Sequence, residues 1–372
     1  KPESESSDSK QSEDEFDPLT TSTNKDGIPD FVMDAMEALG IEDKKKSHPK
    51  VCIDEPTVEE IAKSLAEGKF TKIIVMSGAG ISTSCGIPDF RTPGTGLYDN
   101  LQKFNLPQPT AVFEIDYFKQ NPKPFFMLAK ELYPGNFTPS ITHQFIVLLE
   151  KKGILLRHYT QNIDCLDRRA GLSPEVIVEA HGSFASAHCV LCQKQYSEEF
   201  VKQRVFADEV PKCDECSSLV KPDIVFFGEG LPHRFTSNYK TDLKNADLLI
   251  VIGTSLLVQP FASLTNLVTE NCPRILLNRE AVGHRVGAGL DMGSLLTDDM
   301  SPEQKMMIRL QLMLFGQQNE GFRFGDDDNY RDVFLESDCD DGIRKLCQLV
   351  GNDWIEQLEK DYSETQNRCQ QK

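Results

Sequence analysis

The sequence predicts an α/β fold, in which a Rossmann-like parallel sheet forms a large domain and a small domain carries a zinc ribbon. Three observations lead to this prediction. Short apolar runs rich in β-branched residues alternate with helical stretches, as in parallel sheets. A glycine turn follows the first run, where doubly wound folds bind phosphate. Two Cys-x-x-Cys pairs stand 20 residues apart, a spacing typical of a zinc ribbon.

The first predicted strand leads straight into the glycine turn. Residues 73–76 (IIVM) form a short apolar run typical of a buried strand. We expect Gly78 and Gly80 to take positive φ and to let a ligand approach the backbone. Ser82 and Thr83 are predicted helix N-caps, so the turn would present backbone N–H groups to a phosphate. Because Thr83 replaces the third glycine of the usual pattern, the motif alone also fits a plain turn.

Further strands and helices are predicted on both sides of this turn. The predicted helices span 56–68 and 140–151, and the predicted strands span 155–160, 176–178, 248–252 and 275–277. A closing strand-turn-helix is predicted over 332–351 and 354–362. Ligands of open α/β sheets bind at the carboxyl ends of the strands. Those ends would deliver Gln161, His181, Gly253 and Asn278 to one place.

Composition limits the classes of partner. The chain has 372 residues, a net charge of −18 and no basic block, which argues against direct nucleic-acid binding and favours basic, lysine-bearing segments. Eleven cysteines without a secretory signal indicate zinc in a reducing compartment rather than disulfides. No apolar run approaches the roughly 20 residues of a membrane span. We therefore expect a soluble intracellular protein that does not bind membranes.

The two ends of the chain differ in composition from the middle. Residues 1–50 are acidic and serine-rich, which is typical of a disordered tail. Within them, 28–41 has near-helical apolar spacing, which fits either a helix that docks on the catalytic domain or a nuclear-export-like segment. The catalytic domain is predicted over 51–362. We expect an insertion, partly disordered, at 284–328 and a polar tail at 363–372.

Four cysteines are the predicted metal ligands: Cys189, Cys192, Cys213 and Cys216. Four thiolates close a tetrahedral shell, so the Zn²⁺ ion would be structural rather than catalytic. The alternative is that the cysteines coincide by chance. His188 adjoins the first pair, but four cysteines already suffice and we expect it to be a bystander. The small domain would include about 183–220 and a helical segment at about 97–150.

In its motifs the chain resembles the sirtuin family, the NAD-dependent protein deacylases. The motifs are GAGIST at 78–83, GIPDFR at 86–91, TQNID at 160–164, EAHG at 179–182, the two cysteine pairs, KPDIVFFGE at 221–229 and GTSLLVQPFA at 253–262. They follow the family's order, cover about 61–283 and resume near 330–351. Their detail, such as DFRTPGTGLYDNL, resembles the sirtuin 2 type within that family.

The resemblance implies a reaction that consumes NAD as a co-substrate. The acyl-lysine oxygen would attack C1′ of the nicotinamide ribose, nicotinamide would leave, and the products would be lysine and O-acyl-ADP-ribose. A mono-ADP-ribosyltransferase with the same NAD site and a catalytically silent NAD-binding scaffold are the alternatives. Substrates would be acylated proteins such as histones or tubulin. The location would be cytoplasmic, with the nucleus as a second one.

The resemblance also assigns roles to individual residues. The catalytic residues would be His181 and Asn162. The predicted cofactor-binding residues are Gly78, Ala79, Gly80, Ile81, Ser82, Thr83, Asp89, Phe90, Arg91, Gln161, Asn162, Ile163, Asp164, Gly253, Thr254, Ser255, Asn278, Arg279, Glu280 and Cys339. The predicted substrate-binding residues are Val225, Phe226, Gly228, Glu229, Gln259, Pro260, Phe261, Phe113, Phe125 and Phe184.

Each assignment has a structural alternative. A lone histidine is commonly structural, although an imidazole such as that of His181 accepts a proton readily near neutral pH. Asn162 and Asp164 lie two apart, so they would face one side and grip a carboxamide, or else form an Asx-turn. An apolar space that accepts long acyl chains is expected to be lined by Phe113, Phe125, Leu132, Ile163 and Phe184, or else these residues pack the core.

Overall fold

The computed structural model describes residues 50–89, 97, 101, 106–133, 137–284 and 321–371, and the statements that follow concern those residues. The predicted N-terminal tail to residue 49, most of the predicted insertion (285–320), and Phe90 and Arg91 lie outside them. Within the described residues, no helix combines the length and the apolar character that crossing a membrane would need.

The helices and strands have the following bounds. The α-helices are α1 (Val58–Ala66), α2 (Ile115–Gln120), α3 (Lys123–Leu132), α4 (Ile141–Lys151), α5 (Leu166–Ala170), α6 (Glu198–Phe206), α7 (His233–Asn245), α8 (Cys339–Val350) and α9 (Asn352–Gln370). The strands are β1 (Ile73–Ser77), β2 (Leu155–Thr160), β3 (Ile177–Glu179), β4 (Gly182–Cys189), β5 (Gln195–Ser197), β6 (Val220–Ile224), β7 (Leu248–Ile252), β8 (Arg274–Asn278) and β9 (Asp332–Glu336). Short 3₁₀ helices span Ala79–Cys85, Pro109–Phe113 and Phe261–Asn266.

Six strands form a parallel sheet in the order β3-β2-β1-β7-β8-β9. All five residues of β1 are buried, because β1 is central and covered on both faces, and this explains its continuous apolar run. From β1 the chain builds outward through β2 and β3, and then returns to add β7 on the other side. The strand order therefore reverses between β1 and β7, which is where open α/β sheets bind ligands. The predicted Rossmann-like sheet is confirmed.

The sheet carries an apolar core on each face. On one face, α1, α4, α8 and α9 contribute side chains such as Ile61, Phe145 and Ile343 to a single cluster. On the other face, Phe235 and Leu243 of α7 pack with residues of the Phe261–Asn266 turn. Helices on both sides of a parallel sheet remove its apolar faces from water and so stabilise it.

A second lobe has its own sheet and core. The antiparallel strands β5-β4-β6 pack with α2, α3 and α6 around a cluster of phenylalanines. Phe118, Phe125 and Phe226 meet there, mostly edge to face, with ring centroids 4.9–5.5 Å apart. The helical part of this lobe ends near residue 133. The segment expected at 97–150 was drawn too long, because α4 packs on the large sheet instead.

The carboxyl-terminal region also differs from the expectation. The predicted polar tail from residue 363 is part of α9, which continues to Gln370. Its buried positions Trp354, Leu358, Asp361 and Thr365 follow helical spacing, and Thr365 Oγ1 donates to Gln144 Oε1 of α4 at 2.9 Å. The last eight residues of the predicted insertion, 321–328, are described as well, and Phe322 within them is buried in the core.

Candidate active site and metal centre

A cleft of about 1040 Å³ lies at the carboxyl ends of β1, β2, β7 and β8 and continues to the end of β6. The predicted residues that line it are Ala79, Gly80, Thr83, Asp89, Gln161, Asn162, Ile163, His181, Gly253, Thr254, Ser255, Asn278, Arg279, Glu280, Cys339, Phe113, Val225, Phe226, Gly228, Glu229, Gln259 and Pro260. The parallel strands bring together motifs that are up to 260 residues apart in the chain, between Ala79 and Cys339.

The glycine turn has a different physical basis from the one expected. Gly78 is extended, with φ −135°, and neither Gly78 nor Gly80 takes positive φ. A Cβ on Gly80 would lie 2.7 Å from Gly253 Cα, and a Cβ on Gly78 would lie 2.8 Å from Gly253 O. The glycines are therefore required because the turn after β1 packs directly on the turn after β7. The backbone of Gly80 still lines the cleft.

Ser82 and Thr83 are not N-caps as predicted, because both lie inside the short 3₁₀ helix Ala79–Cys85. Ser82 Oγ instead donates to Asp164 Oδ2 at 2.6 Å, and Thr83 Oγ1 donates to Gly80 O at 3.0 Å. Four predicted cofactor residues, Gly78, Ile81, Ser82 and Asp164, lie behind the cleft lining rather than on it. Asp164 Oδ1 also accepts from Leu166 N at 2.9 Å, so its carboxylate shapes the loop from within, as the Asx-turn alternative proposed.

The loop after β2 is held by a network of hydrogen bonds. Asn162 Nδ2 donates to Gly78 O at 3.1 Å and contacts Ser82 Oγ at 3.3 Å. Thr254 Oγ1 donates to Gln161 Oε1 at 2.7 Å. These bonds tie the ends of β1, β2 and β7 together, so the polar groups at the floor of the cleft are held in place before any ligand binds.

His181 stands in the cleft with a defined tautomer. Its Nδ1 lies 3.1 Å from the carbonyl oxygen of Gln161, and because a carbonyl only accepts, Nδ1 must carry the hydrogen. The other ring nitrogen, Nε2, is therefore the proton acceptor. Burial lowers the pKa of His181, and the bond to Gln161 partly offsets this, which keeps the imidazole neutral at pH 7. A neutral, oriented imidazole is suited to general-base chemistry.

Glu179, the expected neighbour of His181, is engaged elsewhere. Arg168 Nε and Nη2 donate to its two oxygens at 3.0 and 2.8 Å, and Ser183 Oγ donates to Oε2 at 3.2 Å. The carboxylate thus anchors α5 to the start of β4, and the histidine is oriented by a backbone carbonyl instead.

One end of the cleft is formed by the turn after β8 and the start of α8. Asn278, Arg279, Glu280 and Cys339 line it as predicted, and Arg279 pairs with Asp338. The sequence analysis missed four lining residues there: Asp338, Asp340, Asp341 and Arg344. The signal that could have found them is their position in the first turns of the helix after β9, since that helix begins at the same edge of the sheet.

The opposite end is built from β6 and the turn before Phe261. Val225, Phe226, Gly228, Glu229, Gln259, Pro260 and Phe113 line the cleft as predicted. Phe125, Phe184 and Phe261 do not line it and are at most 2% exposed, since they pack in the two cores. Among lining residues that were missed, Phe227 is 49% exposed and presents an apolar ring beside the cleft.

The four predicted metal ligands converge in the second lobe. Among the described residues, Cys189, Cys192, Cys213 and Cys216 are the one group whose ligand atoms all lie within 4.8 Å of one another. The Sγ atoms of Cys189 and Cys216 are 3.4 Å apart, and those of Cys192 and Cys213 are 3.6 Å apart. Zn–S bonds of about 2.3 Å in a tetrahedron place sulfur atoms about 3.8 Å apart, so the cluster fits a structural zinc.

The surroundings of Cys213 favour its thiolate form. Burial alone would raise the pKa of Cys213, but hydrogen bonds from the Tyr196 hydroxyl and from backbone N–H groups lower it to about 6. Tyr196 Oη lies 3.1 Å from Cys213 Sγ. His188 contacts Asp223 Oδ1 at 2.7 Å and takes no part in the cluster, as expected. The thiolate form is the one that zinc requires.

The structure combines a parallel sheet of the nucleotide-binding type with a four-cysteine lobe, and a histidine stands in the cleft between them. These features define a class of nucleotide-binding proteins with a structural metal site, and the sequence matches one family. Residues 78–260 match the Sir2 family. A Danio rerio protein named NAD-dependent protein deacetylase sirtuin-2 is 49% identical over 342 residues, which cover 91% of this chain and 83% of that protein. The chain therefore belongs to the Sir2, or sirtuin, family, and this relative is of the type that the motifs indicated.

Two further relatives have related names. A Mus musculus protein named NAD-dependent protein deacetylase sirtuin-3 is 48% identical over 260 residues, 70% of this chain and 74% of its own length. A Dictyostelium discoideum protein named NAD-dependent deacetylase sir2A is 56% identical over 246 residues, 65% of this chain. The match spans about half of that second relative, 48% of its length.

Proposed function

We propose that this chain is an NAD-dependent protein lysine deacetylase, which converts acetyl-lysine, NAD and water to lysine, nicotinamide and O-acetyl-ADP-ribose. The observation that carries the proposal is His181, which presents Nε2 as a proton acceptor inside a cleft at the switch point of a parallel sheet. NAD in this cleft would supply the ribose to which the acyl group is transferred. The names of the relatives support the same activity.

Different residues along the cleft would bind different parts of NAD. Asn278, Arg279 and the first turn of α8 would hold the adenosine end, and the Ala79–Cys85 turn would face the phosphates. Asn162 and Gln161 would position the nicotinamide ribose beside His181. His181 Nε2 would then take a proton from a ribose hydroxyl, and Gln161 O would stabilise the imidazolium through Nδ1. Phe90, outside the described residues, is proposed to shield the sugar.

The zinc ion is proposed to act on the fold alone. Four cysteine ligands fill a tetrahedral shell and leave no position for water or substrate. The thiolate cluster holds β4 and the turns of the ribbon together, and β4 begins directly after His181. The metal would thus stabilise the lobe that forms one wall of the cleft.

Acylated lysine-bearing proteins, such as histones or tubulin, are the proposed substrates. The net charge of −18 would attract basic segments of such proteins over several ångströms. The proposed location is the cytoplasm, with the nucleus as a second one. All eleven cysteines are free, which is typical of a reducing compartment.

We further propose that the enzyme removes long fatty acyl groups as well as acetyl. Phe113 and Ile163 line the cleft beside Phe226, and the Phe113 and Phe226 ring centroids are 6.2 Å apart. An apolar wall of this kind could gain up to about 0.8 kcal/mol for each buried CH₂ group. Phe125 and Phe184, which were expected to contribute, are part of the core behind this wall.

The experiment that tests the proposal compares His181→Ala with the unchanged chain in an assay of NAD-dependent nicotinamide release on an acetyl-lysine peptide. Loss of a general base typically lowers the rate by about 10²–10⁴-fold, and NAD affinity should remain because His181 is one of many groups in the cleft. Glu179→Gln is the control, since that carboxylate pairs with Arg168 rather than His181. Near-normal turnover by His181→Ala would overturn the assignment.

A further inference from the structure

Lys221 is a buried lysine that no step of the proposed reaction uses. Its side chain is 9% exposed, although an ammonium group normally stays in water. Nζ donates to the carbonyl oxygen of Ile224 at 2.6 Å and of Pro222 at 3.2 Å. It also pairs with Glu229 Oε2 at 3.0 Å. The three acceptors match the three donors of an ammonium group, so the buried charge is fully satisfied.

The lysine joins the two ends of one bend. Glu229 Oε2, which pairs with Lys221, also accepts from the backbone N–H of Phe226 at 2.8 Å. The bend between these residues passes through Gly228, whose φ is +93°. Lys221 and Glu229 therefore clamp the 221–229 segment across its own turn, and the clamp depends on no residue of the sheet that carries the proposed NAD site.

The clamped segment forms the peptide-side wall of the cleft. Val225 N donates to His181 O at 2.8 Å, and Phe227 N donates to Phe113 O at 2.8 Å. The ammonium group also lies 4.5 Å from the centre of the Phe226 ring. The conformation set by Lys221 thus determines where Val225 and Phe226 stand relative to His181.

We propose that Lys221 is a positioning residue for the acylated peptide, holding residues 224–229 in the shape that forms one wall of the peptide site. The proposal rests on the deacetylase function proposed above, because it takes an acyl-lysine peptide as the occupant of this wall. Lys221 is not among the residues that line the cleft, so it would touch neither the peptide nor NAD. It acts through the backbone of Ile224 and through Glu229.

The test is Lys221→Met, which keeps the length of the side chain and removes its charge. We expect the KM for an acetyl-lysine peptide to rise about tenfold, the equivalent of one lost charged hydrogen bond, while the KM for NAD stays within about twofold. Glu229→Gln keeps an acceptor for Phe226 N and should give the same split with a smaller rise. Lys130→Met, which removes the exposed pair with Asp208 at 2.8 Å in the same lobe, is the control.

Binding of a fluorescent acetyl-lysine peptide, measured by anisotropy in the presence of a non-reactive NAD analogue, separates this inference from the proposed function. If the unchanged chain binds the peptide without turnover, the deacetylase proposal fails, and the comparison of Lys221→Met with Lys130→Met can still be made. If Lys221→Met does not fold, Lys221→Gln, which keeps one donor for the carbonyl oxygen of Ile224, is compared in its place. Equal changes in both KM values, or a lower melting temperature with unchanged peptide affinity, would show that the clamp is only structural and would overturn the inference.

Discussion

A methyl group added at Gly182 should move His181 away from the 221–229 segment, the proposed peptide wall of the cleft. Gly182 follows His181, has φ +70°, and a Cβ added there would lie 1.8 Å from the carbonyl oxygen of Asp223. Gly153 provides a matched control, because its φ is +71° and a Cβ added there has nothing within 4 Å. The two alanine variants share the backbone strain and differ in the contact.

The expected losses of stability follow from the backbone strain and the steric contact. A non-glycine residue in the left-handed region costs about 1–2 kcal/mol, and forcing an atom into a packed interior costs about 1–3 kcal/mol more. We therefore expect Gly182→Ala to lower the free energy of unfolding by about 2–5 kcal/mol, and Gly153→Ala by about 1–2 kcal/mol. Since Val225 N is bonded to His181 O, moving β4 away from β6 should also lower kcat.

Chemical denaturation gives the unfolding free energies, and nicotinamide release gives kcat for both variants. The expected pattern is a larger loss of stability and a loss of kcat in Gly182→Ala, with kcat unchanged in Gly153→Ala. Equal stability losses, or full activity in Gly182→Ala, would refute the claim that the backbone packing of β4 on β6 holds His181 in place.

Three other predictions follow from the metal centre, the acyl wall and a buried histidine. Chelation of zinc, or Cys213→Ser, should lower the melting temperature together with activity, and unchanged melting of metal-free protein would contradict a structural role. On one peptide, kcat/KM should be substantial for acetyl- and myristoyl-lysine and small for succinyl-lysine, because an unpaired buried carboxylate costs several kcal/mol. A lack of activity on myristoyl-lysine would refute this. Burial lowers the pKa of His158 from 6.5 to about 3. The unfolded chain binds a proton at His158 that the folded chain refuses, so this group alone makes the unfolding free energy fall as the pH drops from about 6.5 towards 3. Burial raises the pKa of Asp167, 3.5 Å from His158, to about 7 and gives a contribution of opposite sign, so the His158 contribution is the difference in slope between the unchanged chain and His158→Gln.

The strands of the large sheet could be predicted from sequence because most are short apolar runs that end at a glycine or a polar residue. β4 and the three-residue β5 of the second lobe are not such runs and were not predicted. The continuous run at β1 implies burial on both faces, and parallel strands necessarily gather their ends at one edge. For the same reason Gln161, His181, Gly253 and Asn278 were placed in one cleft. The cysteine ligands could be predicted because zinc demands a fixed number and spacing of thiolates.

The direction in which individual side chains point could not be predicted. Asn162 and Asp164 both contact Ser82 Oγ, as residues that face one side should, but only Asn162 also lines the cleft. Phe125 and Phe184 are apolar whether they line a cleft or fill a core, and composition does not separate the two. The packing that requires glycine at position 80 could not be predicted either, because its neighbour Gly253 is distant in sequence.

The last part of α9 could not be predicted from average composition. The stretch from residue 352 is polar on average, so its last part was interpreted as a tail. A helix needs only one apolar stripe to pack, and Trp354 and Leu358 provide it, continued by Thr365. Averaging hydrophobicity over a stretch of sequence does not reveal such a stripe.

The most direct test of the central claim is mass spectrometry of the products formed from one acetyl-lysine peptide and NAD. We expect a peptide that has lost its acetyl group, with nicotinamide and O-acetyl-ADP-ribose in equal amounts, and formation of these products about 10²–10⁴-fold slower with His181→Ala. A peptide that keeps its acetyl group and gains ADP-ribose would show an ADP-ribosyltransferase instead. NAD binding without any product would contradict a catalytic role for His181.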